Sequence, residues 1–348
     1  MDVTEFDYEL SSVRIAQTPL ERRDTSRLLV VTRDTGAIEE RLFCDLPQLL
    51  CPGDVLAIND TWVIPARLYG AKIGGGATIE VLLLEDLGDR RWKVIAQRAC
   101  RLYPGARIQF PEGVVAEVGA ILGDGLFELS FSGETRWEDF LNHHGRVPLP
   151  PYIHRSDGCL DMLDRERYQT VYARPTRHFQ SAAAPTAGLH FTDELLARLE
   201  GAGILIVRIT LRIGLDTFLP IRSARVEDHP MHRETYVITE ESAEEINRAR
   251  AGGGRIIAVG TTVVRALESA AGPGGQVKAQ RGETALFITP GYIFRAIDGI
   301  VTNFHLPRST LLVLIASWLG KDKWRMVYDE AIRRGFRFYS YGDAMLAW

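Results

Sequence analysis

The stretch Ala183-Ala184-Pro185-Thr186-Ala187-Gly188-Leu189-His190-Phe191-Thr192 decides how this chain is read. It sets small residues, a proline, a glycine, a hydroxyl and an imidazole directly before a helix signal. Thr192 reads as an N-cap, and Leu195, Leu196 and Leu199 follow at helical spacing. Small residues let a ligand approach the backbone. A helix start offers unpaired N–H groups to an anion, and an imidazole moves a proton near neutral pH. Taken alone, the same residues also make a tight turn before a helix, with a core histidine.

Working outward, the segments on either side divide the chain. Arg27 to Val31 and Val55 to Ile58 read as strands. From about residue 67 to 150 the texture changes to short β-rich runs: Ala77 to Leu84, Trp92 to Gln97, Arg107 to Phe110, Val114 to Val118 and Leu126 to Phe131. Glycine, aspartate or proline separates them, which predicts a small β-barrel or sandwich. Pro148-Leu149-Pro150-Pro151 reads as the return linker. Beyond it, helices and strands alternate. Ile204 to Leu211 and Ile256 to Val259 are strands, and Glu241 to Ala251 is a helix capped by Thr239 or Ser242. Trp324, Val327, Tyr328, Ala331 and Ile332 make a helical face that Gly335 ends. The predicted fold is α/β with two domains. Residues 1–66 and 151–348 form a discontinuous α/β catalytic domain, and 67–150 an inserted β-barrel.

The 348 residues suffice for two cores, and 46% hydrophobic with 25% charged residues is ordinary for a globular enzyme. The longest apolar run, Leu311 to Leu319, is too short to cross a bilayer and reads as a buried helix. The acidic start Met1-Asp2-Val3-Thr4-Glu5 has no apolar run after it, so a cytoplasmic protein is expected, with no membrane partner. Cys44, Cys51, Cys100 and Cys159 are scattered, which argues against a metal or disulfide framework. Nothing fixes the oligomeric state; a monomer is the default. A net charge of −4 gives no global attraction to nucleic acid, so any RNA contact must be local. Basic residues gather at Arg90, Arg91, Lys93, Arg98, Arg101 and Arg107, and again at Lys321, Lys323, Arg325, Arg333, Arg334 and Arg337.

Gly74-Gly75-Gly76 has no helix after it, and Gly252-Gly253-Gly254 precedes a strand instead of following one, so neither is a dinucleotide fingerprint. Two segments have the right order of strand, polar turn and helix. One runs through Gly260-Thr261-Thr262 to Arg265 and Glu268; the other runs through Thr302-Asn303-Phe304-His305 to Ser309. Ligands collect at such strand ends in open α/β sheets. In His229-Pro230-Met231-His232 the proline argues against a helical metal pair. His143-His144 reads as surface.

Further motifs complete the pattern: Asn59-Asp60-Thr61, Val63-Ile64-Pro65-Ala66-Arg67-Leu68, Tyr168-Gln169-Thr170-Val171-Tyr172-Ala173, and Phe338-Tyr339-Ser340-Tyr341-Gly342-Asp343-Ala344. In this order, from Phe6-Asp7-Tyr8 onward, the set resembles the S-adenosylmethionine:tRNA ribosyltransferase-isomerase family of queuosine biosynthesis. The resemblance implies S-adenosylmethionine as ribosyl donor, with no metal, and the anticodon arm of tRNA as partner. The ribosyl unit would pass to the aminomethyl group of 7-aminomethyl-7-deazaguanine and isomerise, giving epoxyqueuosine-tRNA, adenine and methionine. Such chemistry needs a base, an acid and a dry site. His190 and His305 are the candidates for proton transfer, with Asp60 to orient a histidine. Thr186, Thr261, Thr262 and Asn303 suit ribose or adenine, and Glu268 or Asp343 the amino group of the donor. Asn59, Thr61, Arg67, Tyr168, Thr170, Pro185, Gly188, Gly260, Arg265 and Tyr341 complete the implied site.

The chain departs from the family pattern at Trp62, Gln180, Arg212, Asp216 and Ala285. A relative that uses the same donor on a different, small-molecule acceptor is the alternative reading. A non-enzymatic RNA-binding relative is a third.

Overall fold

The protein was analysed as a computed structural model that describes residues 1–97, 101–123, 125–155, 160–175, 180–214, 220–231 and 233–348. Arg98, Cys100, Cys159, Asp216 and His232 lie outside the described residues. In chain order the strands are β1 (Arg27–Val31), β2 (Ile38–Leu42), β3 (Val55–Asn59), β4 (Trp62–Val63), β5 (Arg67–Lys72), β6 (Thr78–Gly88), β7 (Arg91–Ala96), β8 (Arg107–Gln109), β9 (Val115–Gly123), β10 (Leu126–Ser132), β11 (Gln180–Ser181), β12 (Leu205–Leu211), β13 (Glu234–Ile238), β14 (Ile256–Val259), β15 (Gln280–Thr284), β16 (Gly299–Asn303) and β17 (Ala344–Ala347). The α-helices are α1 (Leu46–Leu49), α2 (Trp137–His144), α3 (Asp161–Arg167), α4 (Asp193–Gly201), α5 (Glu240–Ala251), α6 (Thr261–Ala270), α7 (Thr310–Leu319) and α8 (Lys323–Arg333).

Strands from both ends of the chain form one nine-stranded sheet in the order β15-β13-β12-β3-β14-β16-β17-β1-β2. Its centre, β12-β3-β14-β16, is parallel. β17 lies antiparallel to β16 and parallel to β1. The central strands are covered on both faces, which explains their unbroken apolar composition. Alternate residues of β3 feed different cores. Val55 and Ala57 join α6, α7 and α8 on one face, and Leu56 and Ile58 join Leu195, Leu196 and Leu199 of α4 on the other. The predicted caps Thr192 and Thr239 form, and Ser309 caps α7 in the same way: each accepts a backbone N–H of the first turn. Among the described residues, no helix is long and apolar enough to cross a membrane.

Between β4 and β11 the chain closes a barrel in the order β10-β7-β6-β5-β8-β9. All its pairs are antiparallel. Closure leaves the barrel no free edges. Its first strand, β5, is not legible from sequence, because Arg67-Leu68-Tyr69-Gly70-Ala71-Lys72 offers a single leucine and a glycine in place of an alternating pattern. That glycine is required: a Cβ at Gly70 would lie 2.6 Å from Ile108 Cγ2 and 2.9 Å from the Gln109 carbonyl. Helix α2 stoppers the barrel. Phe140 is fully buried, stacked on Trp137 at 5.5 Å and edge-on to Phe110 at 6.4 Å. His143 and His144 follow on this helix, where both face Glu112.

Truncating this stopper has a predictable effect. Phe140→Ala removes a buried aromatic and leaves a cavity, so the barrel loses about 3–5 kcal/mol. A urea melt followed by tryptophan fluorescence, with Trp92 and Trp137 as reporters, should show a lowered midpoint. An unchanged midpoint would remove α2 from the barrel core.

Candidate active site

The sheet register brings the polar motifs to one edge. The carboxyl ends of β12, β3, β14 and β16 point the same way, so Leu211, Asn59, Gly260 and Asn303 lie along it. Asn303 pairs with Ala344 and Leu28 with Ala344, which adds the starts of β17 and β1. This is the edge of an α/β sheet at which ligands bind.

The deciding stretch runs across that edge as a short 3-10 turn, Thr186–His190. The Thr186 hydroxyl donates to Asn303 Oδ1 at 2.9 Å, and Asn303 Nδ2 donates to the Tyr339 carbonyl at 3.1 Å. Tyr339 has φ of +69°, a left-handed conformation that costs a non-glycine residue about 1–2 kcal/mol. Asn303 and the bond from Tyr339 N–H to the Phe304 carbonyl hold it there. Pro185 caps the turn and its carbonyl accepts from Gly188. Gly188 has no room for a side chain: a Cβ would stand 1.9 Å from Tyr172 Oη and 2.9 Å from Thr170 Cγ2. The hydroxyls of Thr170 and Tyr172 are buried without a hydrogen-bond partner among the described residues. Tyr168 is buried edge-on to Tyr341, with centroids 6.1 Å apart. Gly260 caps α6 with φ of +95° beside Ala187, and Thr261 and Thr262 are buried in the first helical turn.

Both candidate histidines are buried and differ in their freedom. His190 lies flat on Phe43, centroids 5.0 Å apart. Its Nδ1 faces the Ala187 carbonyl at 3.1 Å and its Nε2 the Gly342 carbonyl at 3.0 Å. A neutral ring donates to only one of these. Burial still holds its pKa below the usual histidine value, against those two carbonyls. His305 Nε2 pairs with the Thr302 hydroxyl at 2.8 Å, and burial lowers its pKa to about 3. Its backbone is pinned by the Tyr8 and Tyr328 hydroxyls.

Several expected ligand residues are instead committed to the fold. Asn59 accepts from Leu211 N–H and donates to the Leu211 carbonyl, both at 3.0 Å, which ties β3 to β12. Thr61 bonds Ser181 Oγ at 2.7 Å. Asp60 does not orient a histidine: Thr210 Oγ1 donates to it at 2.7 Å, and burial raises its pKa against that bond and the nearby Arg174 and Arg208 charges. Arg67 pairs with Glu80 at 3.3 Å inside the barrel sheet and donates to the Leu149 carbonyl. Arg265 is buried against Glu234 and donates to the Leu286 carbonyl. Glu268 accepts from Arg295 and Ala296 N–H and from the Tyr292 hydroxyl. Asp343 accepts from Arg27 and Arg337 N–H. Neither carboxylate of the last two is free for a ligand amino group, because buried backbone N–H groups already occupy it. Tyr341 reaches Asp164, which Arg155 grips with two bonds of 2.7 and 2.8 Å. Among the described residues no group of three or more His, Cys, Asp or Glu is placed to hold a metal ion.

Two features have no counterpart in the sequence motifs. A cleft between barrel and sheet is lined by Leu84, Glu85, Lys93, Arg212, Arg233 and Glu283. Arg212 crosses it to Glu85 at 3.5 Å, which accounts for the arginine at that position. Trp62 is packed against the barrel core from β4, and Ala285 is exposed. The other feature is a small pocket beside His190 that gathers Arg23, Arg167 and Arg337 from distant parts of the chain. No local spacing could have joined them.

The buried histidines predict an acid-sensitive fold. The unfolded chain binds a proton at His305 near pH 6.5, and the folded chain only near pH 3. Between those values the unfolded state holds more protons, so stability rises with pH and is lost on acidification. In His305→Gln the slope of unfolding free energy against pH should flatten across that window, as read by urea melts at several pH values. An unchanged slope would show that His305 titrates normally in the folded protein.

Comparison with known proteins agrees along the whole chain. A family profile described as "Queuosine biosynthesis protein" matches residues 3–347. The S-adenosylmethionine:tRNA ribosyltransferase-isomerase of Desulfitobacterium hafniense is 48% identical over 99% of both chains. The protein of the same name from Symbiobacterium thermophilum is 49% identical, again over 99% of both. The crystal structure of S-adenosylmethionine tRNA ribosyltransferase from Thermotoga maritima matches with a TM-score of 0.55 and 36% identity, covering 99% of this chain and 100% of that one. The chain belongs to the S-adenosylmethionine:tRNA ribosyltransferase-isomerase family.

Proposed function

We infer that this protein transfers the ribosyl moiety of S-adenosylmethionine to the aminomethyl group of 7-aminomethyl-7-deazaguanine in tRNA and isomerises it. The products are epoxyqueuosine-tRNA, adenine and methionine. The observation that carries this reading is 48% identity to a relative of that name along 99% of both chains. S-Adenosylmethionine acts as a substrate, the tRNA anticodon arm as acceptor, and the site works in the cytoplasm without a metal. Residues 1–66 and 151–348 form the catalytic lobe, with 67–150 inserted.

The chemistry fits the polar sheet edge. The sulfonium acidifies the neighbouring 5′ carbon, so a base can take that proton. Adenine leaves readily only when its ring accepts a proton or a strong hydrogen bond. His305 is the freer of the two histidines, because only one of its ring nitrogens is engaged, so it is the candidate to exchange a proton with the substrate. Burial keeps it neutral, and Thr302 orients it through one ring nitrogen. His190, with carbonyls at both nitrogens, positions the Gly342 turn and serves the site from behind. Thr186, Asn303, Thr261 and Thr262 supply hydroxyl and amide groups for ribose or adenine. The buried, closely packed turn Thr186–His190 helps exclude water from reactive intermediates.

Incubation with S-adenosylmethionine and tRNA carrying the aminomethyl base should release adenine and methionine in equal amounts, read by mass spectrometry. Release of S-adenosylhomocysteine would mean methyl transfer and sink the reading. In the same assay His305→Ala should lose on the order of 10²–10⁴ in turnover while remaining folded. His190→Ala should lower the melting temperature as well as the rate. Near-normal turnover in folded His305→Ala would reduce His305 to packing.

A further inference from the structure

The pocket beside His190 has an unbalanced charge. Arg23, Arg167 and Arg337 line it, together with Ser340, Tyr341 and the Gly342 backbone. Arg337 pairs with Asp343 at 3.6 Å. Arg23 and Arg167 have no ion-pair partner among the described residues. Each is anchored through backbone carbonyls: Arg23 to Gln169 at 2.6 Å and Glu166 at 2.9 Å, Arg167 to Leu20 at 2.5 Å. Such anchoring holds both guanidinium groups in the pocket lining, and each carries more N–H donors than these carbonyls use. Desolvation and the Arg167 charge both weigh against the Arg23 cation, and Glu166 and Asp193 only partly compensate. Two partly buried like charges without a counter-ion form a site built for an anion.

The pocket is a small depression open to solvent, with a cavity volume of about 20 Å³. A depression of that size can take the oxygens of one anionic group at its mouth and cannot enclose a nucleoside with its sugar. The amino-acid end of S-adenosylmethionine carries an ammonium beside its carboxylate. Here it would meet only cations, since Asp343 and Asp164 are already occupied by backbone N–H groups and Arg155. A phosphodiester has no such cation and matches the guanidinium fork. The wall of the pocket is His190, the last residue of the turn whose first residue bonds Asn303. We propose that Arg23, Arg167 and Arg337 seat a backbone phosphate of the RNA substrate next to the reacting nucleotide. The two sequence clusters of basic residues are less suited. Arg333 and Arg334 are both spent on Glu330, and Arg90 on the Gly133 and Thr135 carbonyls.

This inference rests on the proposed tRNA activity, and wild-type turnover tests that activity by itself. The pocket is tested by tRNA binding to Arg23→Gln and Arg167→Gln across a salt series. Each variant should bind tRNA on the order of tenfold more weakly. The slope of log affinity against log salt should be shallower by about 0.7–0.9 for every phosphate that is no longer neutralised. KM for S-adenosylmethionine should stay unchanged, and Arg333→Gln should behave as wild type. Arg23→Lys should keep the salt slope and bind less tightly, which separates charge from the planar fork and provides a folded variant if Arg23→Gln is unstable. A raised KM for S-adenosylmethionine with an unchanged tRNA slope would assign the pocket to the donor carboxylate and overturn the proposal. So would folded variants that bind tRNA as wild type. Failure of the wild type to modify tRNA would instead remove the functional reading on which the pocket depends.

Discussion

One buried carboxamide holds the polar edge of the sheet together. Asn303 ends β16 and joins two segments that are remote in sequence, accepting from Thr186 and donating to the Tyr339 carbonyl. Each buried group left unpaired there would cost about 1–3 kcal/mol. The turn from Phe338 to Gly342 needs that support, because Tyr339 sits at positive φ and Gly342 has backbone atoms 2.5–2.6 Å from where a Cβ would lie. With this turn in place, the Gly342 carbonyl meets His190 and the arginine pocket gains its wall.

Acidic groups and neutral groups divide the work at this edge. Asp60 and Asp343 lie at it and Glu268 at the far end of α6, and each is consumed by a hydroxyl or by backbone N–H groups. They shape loops. The neutral groups beside them are the hydroxyls of Thr170, Thr186, Thr261 and Thr262 and the Asn303 carboxamide. A motif carboxylate in a sequence therefore says less about substrate than its burial does, since an ionised group away from water must be matched locally.

Much of the architecture is legible in the sequence because it follows from periodicity. Unbroken apolar runs such as Val55 to Ile58 can only be central strands or buried helices, and their length selects strands. Thr192, Thr239 and Ser309 announce helix starts through their hydroxyls. Strand β2, Ile38-Glu39-Glu40-Arg41-Leu42, is not legible, for it is exposed and highly charged. Strand β17, Ala344-Met345-Leu346-Ala347, is fully buried and too short to show a period. At the candidate site, the motifs read from the sequence come together at one sheet edge and one turn. The sequence does not distinguish residues that touch a ligand from those that secure the loops, because Arg265 and Glu268 look alike in either role until their partners are seen. The arginine pocket is invisible for a simpler reason: its members meet only in three dimensions.

The place of β17 bears on how the chain reaches this state. Strand β1 has just two neighbours, β2 and β17, and Arg27 meets Asp343 across 316 positions. The β1–β2 hairpin can form early from local contacts, but its apolar inner flank stays open until residues 344–347 are made and docked. Such long-range closure raises contact order and slows folding. During synthesis the waiting hairpin exposes one sticky edge, while Glu39, Glu40 and Arg41 guard the other with charge. β17 thus joins the β1–β2 hairpin to the rest of the sheet, and the turn that supports the arginine pocket is completed in the same step.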